Sequence, residues 1–145
     1  MRILLALVIL LMFSDQTMAN KCQLPIDLKG KTLLFKVNGV YTPDNVLADM
    51  VIEYVFEEKT YQVTILNTRR KMSGVYDYRR LTPMLARFSV FEGSDEFASI
   101  YSQTLVCETN TTGFVIFSQT KGWYKPDIRQ DTGVFIIDTQ REKSE

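Results

Sequence analysis

The chain has 145 residues, 46% hydrophobic and 12% aromatic, with two cysteines, no histidine, and seventeen basic residues balancing seventeen acidic ones. That length suits one domain with a single sizeable core, and the missing histidine excludes Ser-His-Asp and Cys-His catalysis, mixed Cys/His zinc sites and the usual neutral-pH proton switch. Zero net charge argues against broad nucleic-acid or anionic-membrane binding, which needs a basic surface.

At the N-terminus, Arg2 precedes an unbroken apolar run from Ile3 to Phe13. Polar Ser14 to Gln16 and then Thr17-Met18-Ala19 follow, with small residues at the two positions a signal peptidase reads. At about eleven residues the run is too short to span roughly 30 Å of hydrocarbon. The pattern predicts a cleaved signal peptide over residues 1–19 and one exported domain, periplasmic or secreted, over residues 20–145. Export places Cys22 and Cys107 where they can join. They are 85 residues apart, and closing such a loop is worth about 4–5 kcal/mol by chain entropy. Two free thiols are the alternative reading.

Beyond Cys22 the dominant period is two. Strands rich in β-branched and aromatic residues are predicted at Lys31–Val37, Met50–Glu57, Tyr61–Asn67, Gly74–Arg80, Leu85–Phe91, Ile100–Glu108, Gly113–Gln119 and Gly133–Asp138. Ile52, Tyr54 and Phe56 oppose Glu53 and Glu57, and Ala86, Phe88 and Val90 oppose Arg87 and Ser89. One face of each strand is therefore buried, as in antiparallel sheet with one wet side. The best helical candidate is Thr42–Asp49, one or two turns with Thr42 as cap and Pro43 at the first helical position. The tail Thr139–Glu145 is polar and reads as a fraying end.

Connection lengths alternate. Glu58–Thr60, Leu81–Met84 and Thr109–Thr112 are short; Asn38–Asp49, Thr68–Ser73, Glu92–Ser99 and Thr120–Thr132 are longer. In an up-and-down meander alternate connections lie at opposite ends, so the long loops share one end and the tight hairpins the other. Eight strands match a small closed antiparallel barrel; a two-sheet sandwich is the rival, but no connection demands its Greek-key crossover. Cys22 and Cys107 both fall at the tight-turn end, where a bridge would strap the N-terminal segment across the barrel's bottom.

The runs Ser73–Arg80 (SGVYDYRR), Ala86–Phe91 (ARFSVF), Gln103–Phe117 (QTLVCETNTTGFVIF) and Thr132–Ile137 (TGVFII) are ordered as in calycin-like bacterial barrels. Over roughly residues 29–138 the chain resembles that lipocalin-related group, with the MoaF-like proteins as the nearest likeness. The resemblance implies an eight-stranded up-and-down barrel and a small hydrophobic ligand in its interior. It carries no catalytic residues across.

Candidate site residues gather at the long-loop end: Tyr41, Asp44, Arg69, Arg70, Lys71, Glu92, Asp95, Glu96, Trp123, Tyr124 and Lys125. The sole tryptophan, Trp123, reads either as a ligand contact or as a lid folded back over the mouth. Arg69-Arg70-Lys71 reads as a basic loop cluster, able to take a carboxylate or phosphate head group or simply solvated. Arg80 follows Tyr76 and Tyr78 on the inner face, placed to cap the bottom. Inward Tyr54, Phe56, Tyr61, Tyr76, Tyr78, Phe88 and Tyr101 are expected to line a cavity or fill the core.

No acid/base pair, nucleophile or metal cluster stands out, so neither enzyme chemistry nor a cofactor is expected. The sequence thus predicts an exported, disulfide-strapped barrel that binds a small apolar or amphiphilic molecule at its long-loop end, through Tyr41, Tyr54, Arg69, Arg70, Tyr76, Tyr78, Tyr101, Trp123 and Tyr124. The alternative is a secreted inhibitor or periplasmic immunity protein acting by protein–protein contact through the same loops. Neither nucleic acid nor stable membrane insertion is expected.

Overall fold

Alternating faces need a partner sheet or closure on themselves, and this chain takes the second course. The structure is a computed structural model that describes residues 22–94 and 98–138. The predicted signal peptide, Asp95, Glu96 and the polar tail lie outside those residues. Eight strands form: β1 (Thr32–Val37), β2 (Val51–Phe56), β3 (Thr60–Ile65), β4 (Arg70–Thr82), β5 (Leu85–Glu92), β6 (Ser99–Cys107), β7 (Thr112–Lys121) and β8 (Arg129–Asp138). Each pairs antiparallel with its neighbour in sequence, and β1 pairs with β8 to close the barrel. The expected eight-stranded up-and-down barrel is what forms, and the sandwich is not.

Inward positions run in twos, as strand geometry requires. Leu33, Phe35 and Val37 of β1 meet Ile52, Tyr54 and Phe56 of β2 and Tyr61, Val63 and Ile65 of β3, all buried. Outer positions keep a share of apolar residues, among them Phe114 and Ile116 on β7 and Val134 and Ile136 on β8.

Several expected boundaries shift. Strand β4 begins at Arg70, not Gly74, so the β3–β4 connection shrinks to residues 66–69, with Arg69 in the left-handed region (φ 58°). Arg70 and Lys71 therefore belong to a strand and the basic loop cluster does not exist as such. Strand β8 begins at Arg129, four residues before the expected Gly133, because its pairing with β7 continues through Gln119↔Arg129. The candidate helix at Thr42–Asp49 is a run of turns instead. Thr42 still caps, its Oγ1 accepting from the Asn45 amide at 3.1 Å, but the chain turns again at Asn45 and Leu47 without propagating a helix.

At the bottom, the segment before β1 crosses the tight-turn end as a plug. Cys22 is bonded to Cys107 at the end of β6, and Leu24 and Leu28 are completely buried beneath the barrel. The segment's polar backbone is satisfied by the hairpins around it. The Leu24 amide donates to the Pro83 carbonyl at 2.8 Å, and the Gln23 amide to Asn110 Oδ1 at 2.8 Å. Tyr78 Oη donates to the Pro25 carbonyl at 2.8 Å, and Arg80 Nη1 to the Leu24 carbonyl at 3.0 Å. Arg80 thus caps the bottom, and the strap lies where the connection lengths placed it.

Candidate functional site

The barrel interior divides into a packed lower half and a polar upper half. Below, rings interlock: Phe56 lies 5.5 Å from Phe88 and 4.9 Å from Tyr76, both edge-on, and Tyr54 lies 5.7 Å from Phe88. Such edge-to-face contacts add to the burial itself. Of the aromatic residues expected to line a cavity, Phe56, Phe88, Tyr76 and Tyr78 belong to this filled half. Tyr76 Oη reaches the Glu57 carbonyl at 2.8 Å and Tyr78 Oη the Pro25 carbonyl, both at the closed end.

Above them, toward the long loops, a cavity of about 50 Å³ remains, room for roughly three or four water-sized groups. Its walls include Phe35, Tyr54, Tyr101, Phe117, Glu92, Arg129 and Asp131, and Trp123 and Tyr124 close it from the loop side. Beside it lies a second, more open groove of about 170 Å³ bounded by Arg70, Met72, Ser73, Glu92, Gly93, Ser99 and Trp123. The two share Met72, Glu92, Ser99 and Trp123.

The loop over the mouth, residues 122–128, is held from within. Gln119 Nε2 donates toward the carbonyls of Tyr124 (3.2 Å), Pro126 (3.3 Å) and Asp127 (3.1 Å). Gly122 makes this approach possible, because a Cβ there would stand 2.2 Å from the Gln119 amide. The Trp123 amide donates to Ser99 Oγ at 3.2 Å. Arg70 stacks its guanidinium 5.0 Å from the Trp123 ring centroid and 5.3 Å from that of Tyr124, and donates to Tyr124 Oη at 3.1 Å. Trp123 is therefore a half-exposed lid, and Arg70 is the clamp on it.

Within the cavity two polar systems meet. In the first, Tyr61 and Tyr101 both donate their hydroxyls to Glu92 Oε1, the Tyr101 bond being 2.8 Å. Gln103 Nε2, fully buried, donates to Tyr54 Oη at 2.7 Å. Burial pushes the Glu92 carboxyl above its ordinary value, against the pull of the two hydroxyls and Arg70. It raises the Tyr54, Tyr61 and Tyr101 hydroxyls as well, so all three stay protonated donors at neutral pH.

The second system is Arg129 and Asp131, two apart on the inner face of β8 and only 4% and 7% exposed. Arg129 Nη1 stands 3.8 Å from Asp131 Oδ2, an ion pair too long for a hydrogen bond. Arg129 Nε and Nη1 and Asp131 Oδ1 are buried without a hydrogen-bond partner. The guanidinium lies 5.1 Å from the Phe117 ring centroid. Burial lowers Arg129 and raises Asp131, and their mutual attraction reduces both shifts without cancelling them.

The residues expected from sequence divide accordingly. Tyr54, Tyr101, Trp123 and Tyr124 line the cavity, and Arg70 lines the adjoining groove. Tyr41 points to solvent from the β1–β2 loop, Arg69 sits in a turn, and Tyr76 and Tyr78 belong to the closed end. Sequence reasoning missed Arg129, Asp131, Gln119 and the buried role of Glu92. A signal for the first two was present: counting back by twos from Ile137 and Phe135 through Gly133 leads to Asp131 and Arg129. Among the described residues no three His, Cys, Asp or Glu side chains come together to hold a metal ion. Comparison of the chain with protein-family models, curated proteins and solved structures finds no match.

Proposed function

We propose that this is an exported binding protein, not an enzyme, and that it takes one small amphiphilic molecule at the long-loop end of the barrel. The observation that carries the reading is the lidded cavity: an apolar and aromatic wall, buried polar groups facing inward, and a loop pinned over the mouth by Gln119 and Arg70. Small-molecule sites have this make-up, with mostly apolar lining and a few placed polar groups. The cavity's size favours a compact head group over a long chain buried whole. Export is supported by the disulfide, a bond that persists in oxidising compartments. The lipocalin-like architecture suggested by the resemblance accords with a barrel that holds a ligand at its mouth.

The test uses the single tryptophan. Titration with amphiphiles of six to ten carbons is expected to shift Trp123 emission saturably, and native mass spectrometry of protein purified from its source is expected to show a small bound molecule. No emission change with any of them, and no bound mass, would overturn the reading.

A protein–protein role through the same loops is the second reading, and a specific observation favours it. Val40, Tyr41 and Ile128 present strongly exposed apolar side chains in the loops of the long-loop end, where Trp123 is half-exposed, and exposed Trp and Tyr are residue types that anchor interfaces. A stoichiometric enzyme partner captured by the native protein and lost on Trp123→Ala and Tyr41→Ala, with small-molecule titrations silent, would establish it.

A further inference from the structure

Resting on the ligand-binding reading, the chemistry of the cavity narrows what its occupant presents. Arg129 and Asp131 are more than nine-tenths buried and both line the cavity, yet between them two guanidinium nitrogens and one carboxylate oxygen have no hydrogen-bond partner. Buried polar groups are nearly always partnered, so a donor–acceptor pair left this way calls for a partner group. We propose that Arg129 and Asp131 receive a neutral polar head group that offers an acceptor and a donor side by side, a carboxamide or lactam, with a short apolar body lying under Trp123 in the adjoining groove.

Charge decides between head groups. Asp131 already supplies the negative charge opposite Arg129, and Glu92 lines the same cavity. A carboxylate or phosphate would add a second negative charge beside Asp131 where little water remains to screen it. A cation meets Arg129 in the same way. An apolar head would leave the three atoms buried and unpaired, each at its full desolvation cost. A head with a carbonyl and an N–H satisfies Arg129 and Asp131 together and adds no charge to a cavity that already holds Arg129, Asp131 and Glu92. Size agrees: about 50 Å³ takes a head of a few heavy atoms, and the groove of about 170 Å³ that shares Met72, Glu92, Ser99 and Trp123 takes the body.

The experiment uses the full chain and three probes of matched length: hexanamide, hexanoate and methyl pentanoate, followed by Trp123 emission and by calorimetry. Hexanamide is expected to bind about tenfold more tightly than either of the others, because a site built for a hydrogen bond rejects an analogue lacking it. Asp131→Asn keeps the shape and leaves the Arg129 charge unbalanced, so the order is expected to invert in favour of hexanoate. Arg129→Gln, read alongside in case the first variant fails to fold, is expected to abolish the preference for amide over ester. Hexanoate or the ester binding as tightly as the amide to the native protein overturns this proposal and leaves the ligand reading standing, as does an order unchanged in Asp131→Asn. Silence with all three probes overturns this proposal, and silence that extends to amphiphiles of up to ten carbons overturns the ligand reading as well.

Discussion

Breaking the Cys22–Cys107 bond isolates what the strap contributes. The bond closes a loop of 85 residues, and the chain-entropy relation for that length gives about 4.6 kcal/mol at 25 °C, removed from the unfolded ensemble's freedom. The native plug has other anchors. Leu24 and Leu28 stay buried, and the Pro83 carbonyl, Asn110, Tyr78 and Arg80 still hold the segment by hydrogen bonds. The reduced protein is therefore expected to keep its barrel and lose stability almost entirely through the unfolded state. For a domain of this size roughly 4 °C of melting temperature goes with each kcal/mol, so reduction is expected to lower the midpoint by about 18 °C. The assay is thermal and urea unfolding of oxidised and reduced native protein, followed by circular dichroism and Trp123 emission, with alkylation and mass measurement certifying the thiol state. Reduction also expands the unfolded chain, so the urea m-value is expected to rise. A difference below about 1.5 kcal/mol with an unchanged m-value would refute the reasoning, since the loop would then be constrained by something other than the bond.

Three further perturbations test the remaining structural claims. Because the Glu92 carboxyl is held above its unfolded value, near 4.5, the folded protein binds its proton more tightly; stability declines as pH rises through that window. Glu92→Gln is expected to flatten the decline that sets in as pH rises above about 4.5 in thermal denaturation, with a residue left by Asp131, which shifts the same way; superimposable profiles would contradict this. Gly133→Ala places a Cβ 2.1 Å from the Lys36 carbonyl oxygen across the β1–β8 seam, and is expected to cost about 3 kcal/mol in urea unfolding; a loss under about 0.5 kcal/mol would show that the seam gives way freely. Leu28→Ala opens a hole under the barrel floor, where Leu28 is fully buried, and is expected to cost about 2–5 kcal/mol. An unchanged denaturation midpoint would mean that the plug is not part of the cooperative core.

The long-loop end shows why the site was harder to read than the barrel. In β2 and β3 the inward set is apolar throughout, as in Ile52, Tyr54 and Phe56, and the period stands out; in β5 it is apolar through Ala86, Phe88 and Val90 and ends on Glu92. In β7 and β8 the inward set turns polar toward the mouth, through Gln119 on one strand and Asp131 and Arg129 on the other. Hydrophobic alternation loses its contrast there, although the backbone pairing continues through Gln119↔Arg129. The same holds for Arg70, whose inward position in β4 is occupied by a cation stacked on the lid. Strand ends were misplaced where the interior becomes a site. Polar side chains are accepted in that region because they hold the lid, donate hydrogen bonds to Glu92, or balance charge as a pair.

The sequence by itself determined the number of strands, their up-and-down order and the end at which the N-terminal strap closes, because period-two faces, turn residues and connection lengths are local properties carried by a few neighbouring residues. Tertiary structure alone decided that the lower half of the interior is filled by rings while the upper half is not, and that Arg129 meets Asp131 in a cavity beneath Trp123. Those outcomes depend on which distant strands come together and on how much water their meeting leaves behind. No window of sequence contains either quantity.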